Sequence, residues 1–229
     1  MKPRDADTRK NPRARINALL ARARTGRPIG LLGGSFNPAH DGHLHITHVA
    51  LKRFRLAEVW WMVSPQNPLK STTDMAPLAE RMASARALAR DRRIVVTDIE
   101  TDLESVFTAD TLAKLRRRAP GANFIWLMGA DNLAQISRWQ RWTDIFRLMP
   151  VAIFDRPGHA FPALAAKAAK RFSKAQLSSR RARRLTRRKP PAWVFMHIRT
   201  HPASATEIRR QRRILGQGRR NTAAGDKDC

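Results

Sequence analysis

The chain has 229 residues, 42% of them hydrophobic, which is the composition of a folded protein and not of a disordered one. Its single cysteine, Cys229, excludes a disulfide framework and a zinc site built on cysteines. The formal net charge is +27, and no apolar run approaches the roughly 18 residues that span a bilayer.

The N-terminal segment, residues 1–28, carries a net charge of +7. It contains no apolar core of a secretory signal, and its acidic residues Asp5 and Asp7 argue against a transit peptide. We predict a flexible basic arm over residues 1–28, with a short helix near residues 14–24. A cytoplasmic location is the expectation that follows from the absence of an export signal and from the one unpaired cysteine.

Short apolar runs alternate with helix-prone segments from residue 29 onward. Strands are predicted at 29–33, 59–64, 94–97, 124–129, 151–154 and 192–197. Helices are predicted at 42–54, 77–89, 108–118 and 205–215, with helical pieces between 132 and 148. A hydroxyl near residue 108 is expected to cap the third of these helices. Continuous apolar strands that alternate with helices are typical of a parallel sheet covered on both faces. The sequence therefore predicts an α/β fold with a Rossmann-like, doubly wound parallel sheet, in a single domain over residues 29–215 with a C-terminal helical portion.

Much of the positive charge is concentrated late in the chain. Residues 167–198 contain eleven basic and no acidic residues, and the Ala/Arg-rich part at about 164–190 is predicted to be a helical insert. These cations form a solvated surface, attract polyanions such as nucleic acid or phosphate-rich small molecules, or do both. Aromatic residues are not interleaved with them, which does not favour a platform for single-stranded nucleic acid. Residues 216–229 are polar, and we predict a disordered tail there.

In parallel sheets ligands bind beyond the carboxyl ends of the strands, so chemistry is expected after Leu32, Val63, Met128 and His197. The first of these exits reads Gly33-Gly-Ser-Phe-Asn-Pro-Ala-His40-Asp-Gly-His43-Leu44. Paired glycines allow a tight turn and a close approach of the backbone to a ligand, and the free N–H groups of the following helix suit an anion such as phosphate. His40 and His43 are spaced so that both imidazoles can face one pocket and donate to the charge that develops on an attacked phosphorus. A metal cluster with the nearby His45 and His48 is disfavoured, because the His-Glu-x-x-His spacing is absent.

This string resembles the Gly-Gly-x-Phe-(Asp/Asn)-Pro-x-His-x-Gly-His signature of the HxGH nucleotidylyltransferases. Further strings, in the same order along residues 29–215, resemble one family in that group, the bacterial nicotinate-nucleotide adenylyltransferases. They are Val63-Ser-Pro-Gln-Asn-Pro-Leu-Lys70, Phe107-Thr-Ala-Asp-Thr-Leu112, Met128-Gly-Ala-Asp-Asn132, Trp139, Phe154-Asp-Arg-Pro-Gly158 and Ser204-Ala-Thr-Glu-Ile-Arg209.

The resemblance implies transfer of the adenylyl group of ATP to nicotinate mononucleotide, giving nicotinate adenine dinucleotide and pyrophosphate, by direct in-line attack on the α-phosphorus. It implies that His40 and His43 contact the phosphates in the transition state. For ATP and phosphate binding it implies Gly33, Gly34, Ser35, Phe36, Lys70, Gly129, Asp131, Ser204, Thr206 and Arg209. For the mononucleotide it implies Thr108, through the nicotinate carboxylate, and Trp139, through stacking on the pyridine ring. Mg²⁺ is expected on the phosphates of ATP without a dedicated protein ligand.

The sequence departs from the family pattern at three positions. Leu69 stands where the loop usually has a histidine, Ala205 replaces a serine, and Asn37 replaces the more frequent Asp. Two other functions stay open: another HxGH adenylyl- or cytidylyltransferase, such as a pantetheine-phosphate enzyme, and a basic nucleic-acid-binding protein. The sequence favours neither, and it gives neither the oligomeric state nor the selectivity for acid over amide.

Overall fold

A seven-stranded sheet forms the centre of the computed structural model, which describes residues 12–65, 75–211 and 214. The strands are β1 (Ile29–Gly34), β2 (Glu58–Val63), β3 (Ile94–Thr97), β4 (Phe124–Gly129), β5 (Val151–Phe154), β6 (Gln176–Leu177) and β7 (Trp193–Met196). Their order is β3-β2-β1-β4-β5-β7-β6, and every neighbouring pair is parallel. The prediction of a Rossmann-like parallel α/β fold is confirmed, and the six predicted strands are all present. The two-residue edge strand β6 was not predicted.

Helices cover both faces of the sheet. They are α1 (Pro12–Ala23), α2 (Asp41–Phe54), α3 (Leu78–Leu88), α4 (Ile99–Asp102), α5 (Thr108–Arg118), α6 (Ala130–Gln135), α7 (Trp142–Leu148), α8 (Ala160–Ala165) and α9 (Lys167–Arg171). Helices α1 and α4–α9 contribute to one apolar cluster, whereas α2 and α3 contribute to the other. Alternate strand residues point to opposite faces, so that Trp60 lies in the first cluster and Trp61 in the second. Residues 205–211 form a helix at the start of the predicted 205–215 segment.

Strand β1 lies between β2 and β4, and its glycines make room for large side chains. A Cβ on Gly33 would lie 2.4 Å from the ring of Trp126, a residue of the neighbouring strand β4. No side chain fits at that separation, so the approach of the indole requires glycine at position 33. Trp126 is 2% exposed, so its ring lies in the core directly beneath the turn that leaves β1.

The N-terminal segment differs from the prediction. Residues 12–23 form α1, which buries Ile16, Leu19, Leu20 and Ala23 in the core on one helical face. Arg15 binds the carboxylate of Asp102 through two bonds, of 3.1 and 2.7 Å. The short helix predicted near residues 14–24 is present, but it is packed on the core, so the description of a flexible arm does not hold for residues 12–23. Residues 1–11 lie outside the described part of the chain, as do those from 215 to 229 that include the predicted tail.

The Arg-rich segment is not the helical insert that composition suggested. After α8 and α9, a 3₁₀ helix (Ser173–Ala175), strand β6 and a second 3₁₀ helix (Ser179–Arg187) follow one another. A 3₁₀ helix has three residues per turn, which aligns Ala182 with Leu185, and both are buried on the α2 face of the sheet. These two apolar contacts fix the segment, and the arginines between them face outward.

Two smaller findings complete the fold. The first residue of α5 is Thr108, but its N-cap is Phe107, which makes no side-chain capping bond, so the expected hydroxyl cap is absent. No helix in the described residues is long and apolar enough to cross a membrane.

Candidate active site

The turns after β1 and β4 meet at the carboxyl edge of the sheet. The strands are parallel neighbours, and the helices that follow them, α2 and α6, pack into opposite apolar clusters. A point where successive helices diverge to the two faces of the sheet is where ligands bind in open α/β folds. His40 and Asp131 follow these two strands, so the topology brings the predicted phosphate and ribose contacts to one crevice.

A reciprocal pair of hydrogen bonds fixes the two predicted histidines at the start of α2. Nδ1 of His40, the N-cap residue, accepts a bond of 3.1 Å from the backbone N–H of Gly42. Nδ1 of His43 accepts a bond of 3.2 Å from the backbone N–H of His40. The two rings lie 3.9 Å apart between centroids, at an interplanar angle of 40°. Since Nδ1 is an acceptor in both rings, the neutral tautomer of each carries its proton on Nε2.

The same bonds correct one expectation about this turn. The free N–H groups at the start of the helix were expected to face a phosphate. The N–H of Gly42 instead binds an imidazole, and that of His43 binds the carbonyl oxygen of His40 at 2.8 Å. The Nε2–H groups of the two imidazoles thus become the donors that this turn offers to an anion.

The His40 ring stays neutral over a wide pH range. The side chain is 6% exposed, and burial together with the nearby Arg156 and His201 lowers its pKa to about 4, although Asp41 opposes the shift. A neutral ring that carries its one proton on Nε2 can donate a hydrogen bond without becoming a cation. Such a donor suits charge that develops on phosphate oxygens.

The buried ring of Phe36 packs against the imidazole of His43. Its centroid lies 4.6 Å from that of His43 and 5.2 Å from that of Trp61, on which it stacks. The side chain is 1% exposed, so any contact of Phe36 with ATP must come from its backbone. That backbone is in the left-handed region, with a φ of 47°. The conformation turns the chain sharply after Gly34 and Ser35, which form the rest of the predicted phosphate turn.

The last helix meets this turn through its first residues. Arg209 donates to the carbonyl oxygen of Asn37 at 2.7 Å, and a Cβ on Gly42 would lie 3.0 Å from the carbonyl oxygen of Ala203. Ser204 accepts the backbone N–H of Glu207 at 3.2 Å as a helix cap. Thr206 accepts from Arg209 at 3.5 Å. The structure therefore brings the predicted triphosphate contacts, Ser204, Thr206 and Arg209, beside the start of α2.

Asp131 is held by an arginine from the neighbouring strand exit. Nη1 of Arg156, which follows β5, lies 3.2 Å from one carboxylate oxygen of Asp131. The other oxygen is buried without a partner in the described residues and lies 2.3 Å from the position of a Cβ on Gly129. A side chain at position 129 would displace this carboxylate from its observed position. The side chain of Asp131 is 28% exposed, so the accessible part of its carboxylate can accept a hydrogen bond from a ribose hydroxyl.

Thr108 and Trp139 are the two residues predicted to bind the mononucleotide. The start of α5, which contains Thr108, is joined by an ion pair to the segment that follows Trp139. Asp110, in the first turn of α5, binds Arg141 at 2.8 Å, two residues beyond Trp139. Trp139 is partly buried and packs against the first apolar cluster, and Thr108 is also partly exposed. A hydrogen bond of 2.8 Å between the hydroxyls of Ser105 and Thr111 links the segment before α5 to that helix.

Two polar residues at this edge were not predicted. Arg81 is 2% exposed, and Glu100 is 5% exposed with one oxygen that has no partner in the described residues. Burial raises the pKa of Glu100 to about 7, against an opposing hydrogen bond from Ser64. The helix that contains Arg81 has no clear apolar face, and Glu100 stands in an acidic run, so no local pattern distinguishes either from a surface residue.

Two predicted features need separate mention. Lys70 and the departure at Leu69 lie outside the described residues. Within the ranges that the structure describes, no group of three or more His, Cys, Asp or Glu residues is arranged to hold a metal ion.

Comparisons with known proteins agree on one family. The cytidylyltransferase-like family matches residues 31–211. A probable nicotinate-nucleotide adenylyltransferase from Cereibacter sphaeroides is 52% identical over 189 residues, covering 82% of this chain and 98% of the relative. One from Methylorubrum extorquens is 51% identical over 181 residues, covering 79% of this chain and 98% of the relative.

A solved structure has the same fold. The Plasmodium falciparum nicotinic acid mononucleotide adenylyltransferase, in complex with NaAD, matches with a TM-score of 0.61 at 18% identity, covering 80% of this chain and 83% of that one. At 18% identity the match to the solved structure shows only that the two folds are alike. The two relatives that are 52% and 51% identical show the family. The chain therefore belongs to the cytidylyltransferase-like family and, within it, to the nicotinate-nucleotide adenylyltransferases.

Proposed function

We propose that this chain transfers the adenylyl group of ATP to nicotinate mononucleotide, releasing pyrophosphate and forming nicotinate adenine dinucleotide for NAD biosynthesis. The observation that carries the proposal is the pair of imidazoles at the start of α2, both with Nδ1 accepting a backbone N–H and therefore both with a donor at Nε2. The relatives at about half identity bear the name of this activity.

The reaction is a single displacement at phosphorus. An oxygen of the mononucleotide phosphate forms a bond to the α-phosphorus of ATP while the bond to the bridging oxygen of pyrophosphate breaks. No protein nucleophile is needed, so the chain contributes orientation of two reactants and stabilisation of charge on the phosphate oxygens. The Nε2–H groups of His40 and His43 are suited to donate to those oxygens as charge develops.

ATP would lie along the start of the last helix and the β4 exit. Arg209 keeps guanidinium donors beyond the one that binds Asn37, and these can bind a phosphate next to the turn. The Ser204 and Thr206 side chains flank it. The partly exposed carboxylate of Asp131 is the proposed acceptor for an adenosine ribose hydroxyl.

The mononucleotide would lie toward α5 and Trp139. The partly exposed indole is proposed to stack on the pyridine ring, and Thr108 with neighbouring backbone N–H groups to bind the nicotinate carboxylate. Neutral donors at that point would reject the amide form, which cannot supply a negatively charged acceptor.

Mg²⁺ is proposed to arrive with ATP as part of the substrate. The groups that the two histidines of the phosphate turn offer are Nε2–H donors, which fit an anion and not a hard cation. The ion would neutralise charge on the β- and γ-phosphates while the protein positions the α-phosphorus.

The decisive experiment is a pyrophosphate-release assay with ATP and three acceptors: nicotinate mononucleotide, its amide and phosphopantetheine. We expect the acid form to be the preferred acceptor. Preference for phosphopantetheine, or no release with either pyridine nucleotide, would contradict the proposal. The catalytic rate is also expected to show no inflection from His40 between pH 8 and about 5, because the pKa of that ring lies at about 4.

A further inference from the structure

A buried arginine without a carboxylate partner lies beneath the site. Arg81, in α3, is 2% exposed, and no ion pair is formed to it within the described residues. Burying an unpaired guanidinium is costly unless its donors are satisfied. Burial lowers the pKa of Arg81, but an arginine stays charged at neutral pH.

Backbone carbonyl groups take the place of a counter-ion. Nη1 of Arg81 donates to the carbonyl oxygens of Ser35 and Ser64, each at 2.7 Å. Nη2 donates to that of Pro65 at 2.9 Å, and Nε donates to that of Ala76 at 2.8 Å. One planar group thus holds four peptide units in fixed relative positions.

These peptide units belong to three separate segments of the site. Ser35 is in the phosphate turn after β1, immediately before Phe36, whose ring supports His43. Ser64 and Pro65 form the exit of β2, and Ala76 precedes α3. A compact ammonium with three donors cannot reproduce this planar set of bonds, so lysine is a poor substitute for Arg81.

Asn37 strengthens the same connection from the turn. Its Oδ1 accepts the backbone N–H of Ala76 at 3.3 Å, while its carbonyl oxygen accepts from Arg209 at 2.7 Å. A continuous set of hydrogen bonds therefore runs from the last helix through Asn37 and Ala76 to Arg81 and the exits of β1 and β2.

We propose that Arg81 is a positioning residue for adenylyl transfer: it fixes the turn after β1, and through Phe36 the orientation of His43, without touching a substrate. The inference rests on the proposed function, since it assigns His43 to the reaction. The side chain acts from beneath the site because its near-complete burial leaves no surface for a ligand.

The test compares R81K with R86K, an exposed position on the same helix. We expect R81K to lower kcat by about 10- to 100-fold per folded active site with the KM for ATP changed less than threefold, since misplacement of transition-state contacts acts on kcat. R86K should leave both constants unchanged. A wild-type kcat in R81K would overturn the proposal.

A double-mutant cycle separates positioning from a merely structural role. If Arg81 acts through the turn that holds His43, adding R81K to H43A should lower kcat by less than threefold further. A full 10- to 100-fold additional loss in the H43A background would show that Arg81 acts elsewhere, and would overturn the proposal.

A second variant keeps the test decisive if R81K does not fold. N37A breaks the Asn37–Ala76 bond from the other side of the connection, and the same non-additivity with H43A is expected. Additive losses would contradict the proposal. Failure of the proposed function is a separate result, because a wild-type chain inactive with every pyridine acceptor would appear before any variant is compared.

Discussion

Two basic regions of this chain differ in how their side chains are held. At the turn after β1, the polar groups of His40, His43 and Arg81 are hydrogen bonded to backbone atoms, and His40 and Arg81 are buried. In the segment 167–189, eleven lysines and arginines are exposed, and within the described residues they form no ion pair. The second region carries far more charge.

We expect catalysis to depend on side chains that are held in place, and not on the number of charges in a region. A side chain with fixed hydrogen bonds has lost its freedom before substrate arrives, so its binding energy can be realised in the transition state. An exposed arginine must be ordered on binding and is screened by salt. The predictions below test whether this difference governs the effect of substitution.

The largest effect is expected at the constrained turn. H43A should lower kcat by at least about 100-fold, because one donor to the transition state is removed. H48A, at an exposed position on the same helix, is the control and should leave kcat unchanged. Circular dichroism checks that both variants are folded. Near wild-type turnover in H43A would end the assignment of His43.

Glu100, which is buried beside Ser64 at the exit of β2, predicts a pH-dependent stability. The folded state raises the pKa of Glu100 from 4.5 to about 7, so it binds this proton more tightly than the unfolded state does. The free energy of unfolding should therefore decrease, by up to about 3 kcal/mol, as the pH rises from about 4.5 to 7, and then stay level.

E100Q should remove that decrease, since an amide does not titrate, whereas E104Q, at an exposed position, should keep it. Urea unfolding at a series of pH values measures the difference. If E100Q and the wild type lose stability in parallel over this range, Glu100 is not the group responsible.

A smaller effect is expected at Trp139, which is only partly constrained. W139A should raise the KM for nicotinate mononucleotide about tenfold and leave the KM for ATP unchanged, because a stacking surface for the pyridine ring is lost. W142A is the comparison, since Trp142 packs edge-on against Phe146 and Phe172. That variant should lower Tm instead. Equal loss of ATP and mononucleotide affinity in W139A would refute stacking.

The smallest effect is expected in the exposed segment. R181Q/R184Q/R187Q removes three arginines from one row of the 3₁₀ helix, and should change the free energy of unfolding by less than about 0.5 kcal/mol. The kcat for adenylyl transfer should stay at the wild-type value. A clear loss of either would mean that the two regions do not differ as described.

Local apolar patterns predicted the strands and several helices well. The run Phe124–Gly129 is a strand with the predicted bounds, and α5 spans Thr108–Arg118 as predicted. These segments are determined by neighbouring residues, through continuous burial in one case and helical spacing in the other. The glycine turn with its two histidines was also found, because its residues are contiguous.

The remainder depends on partners that are distant in the sequence. The contact of Arg15 in α1 with Asp102 spans 87 positions, and that of Arg209 with Asn37 spans 172. Nothing near Arg81 indicates that its guanidinium reaches three separate loops. In the 3₁₀ helix the arginine-dense composition favoured a regular helix, whereas two buried residues, Ala182 and Leu185, fixed a tighter one.

The contact between Gly33 and Trp126 links two positions that the chain separates widely. Since a Cβ at 33 would meet the indole at 2.4 Å, neither residue can be exchanged freely while the other stays. Across diverging sequences the two sites should therefore vary as a pair, a larger residue in the turn accompanying a smaller ring in the strand. A selection that randomises both codons should recover the same correlation.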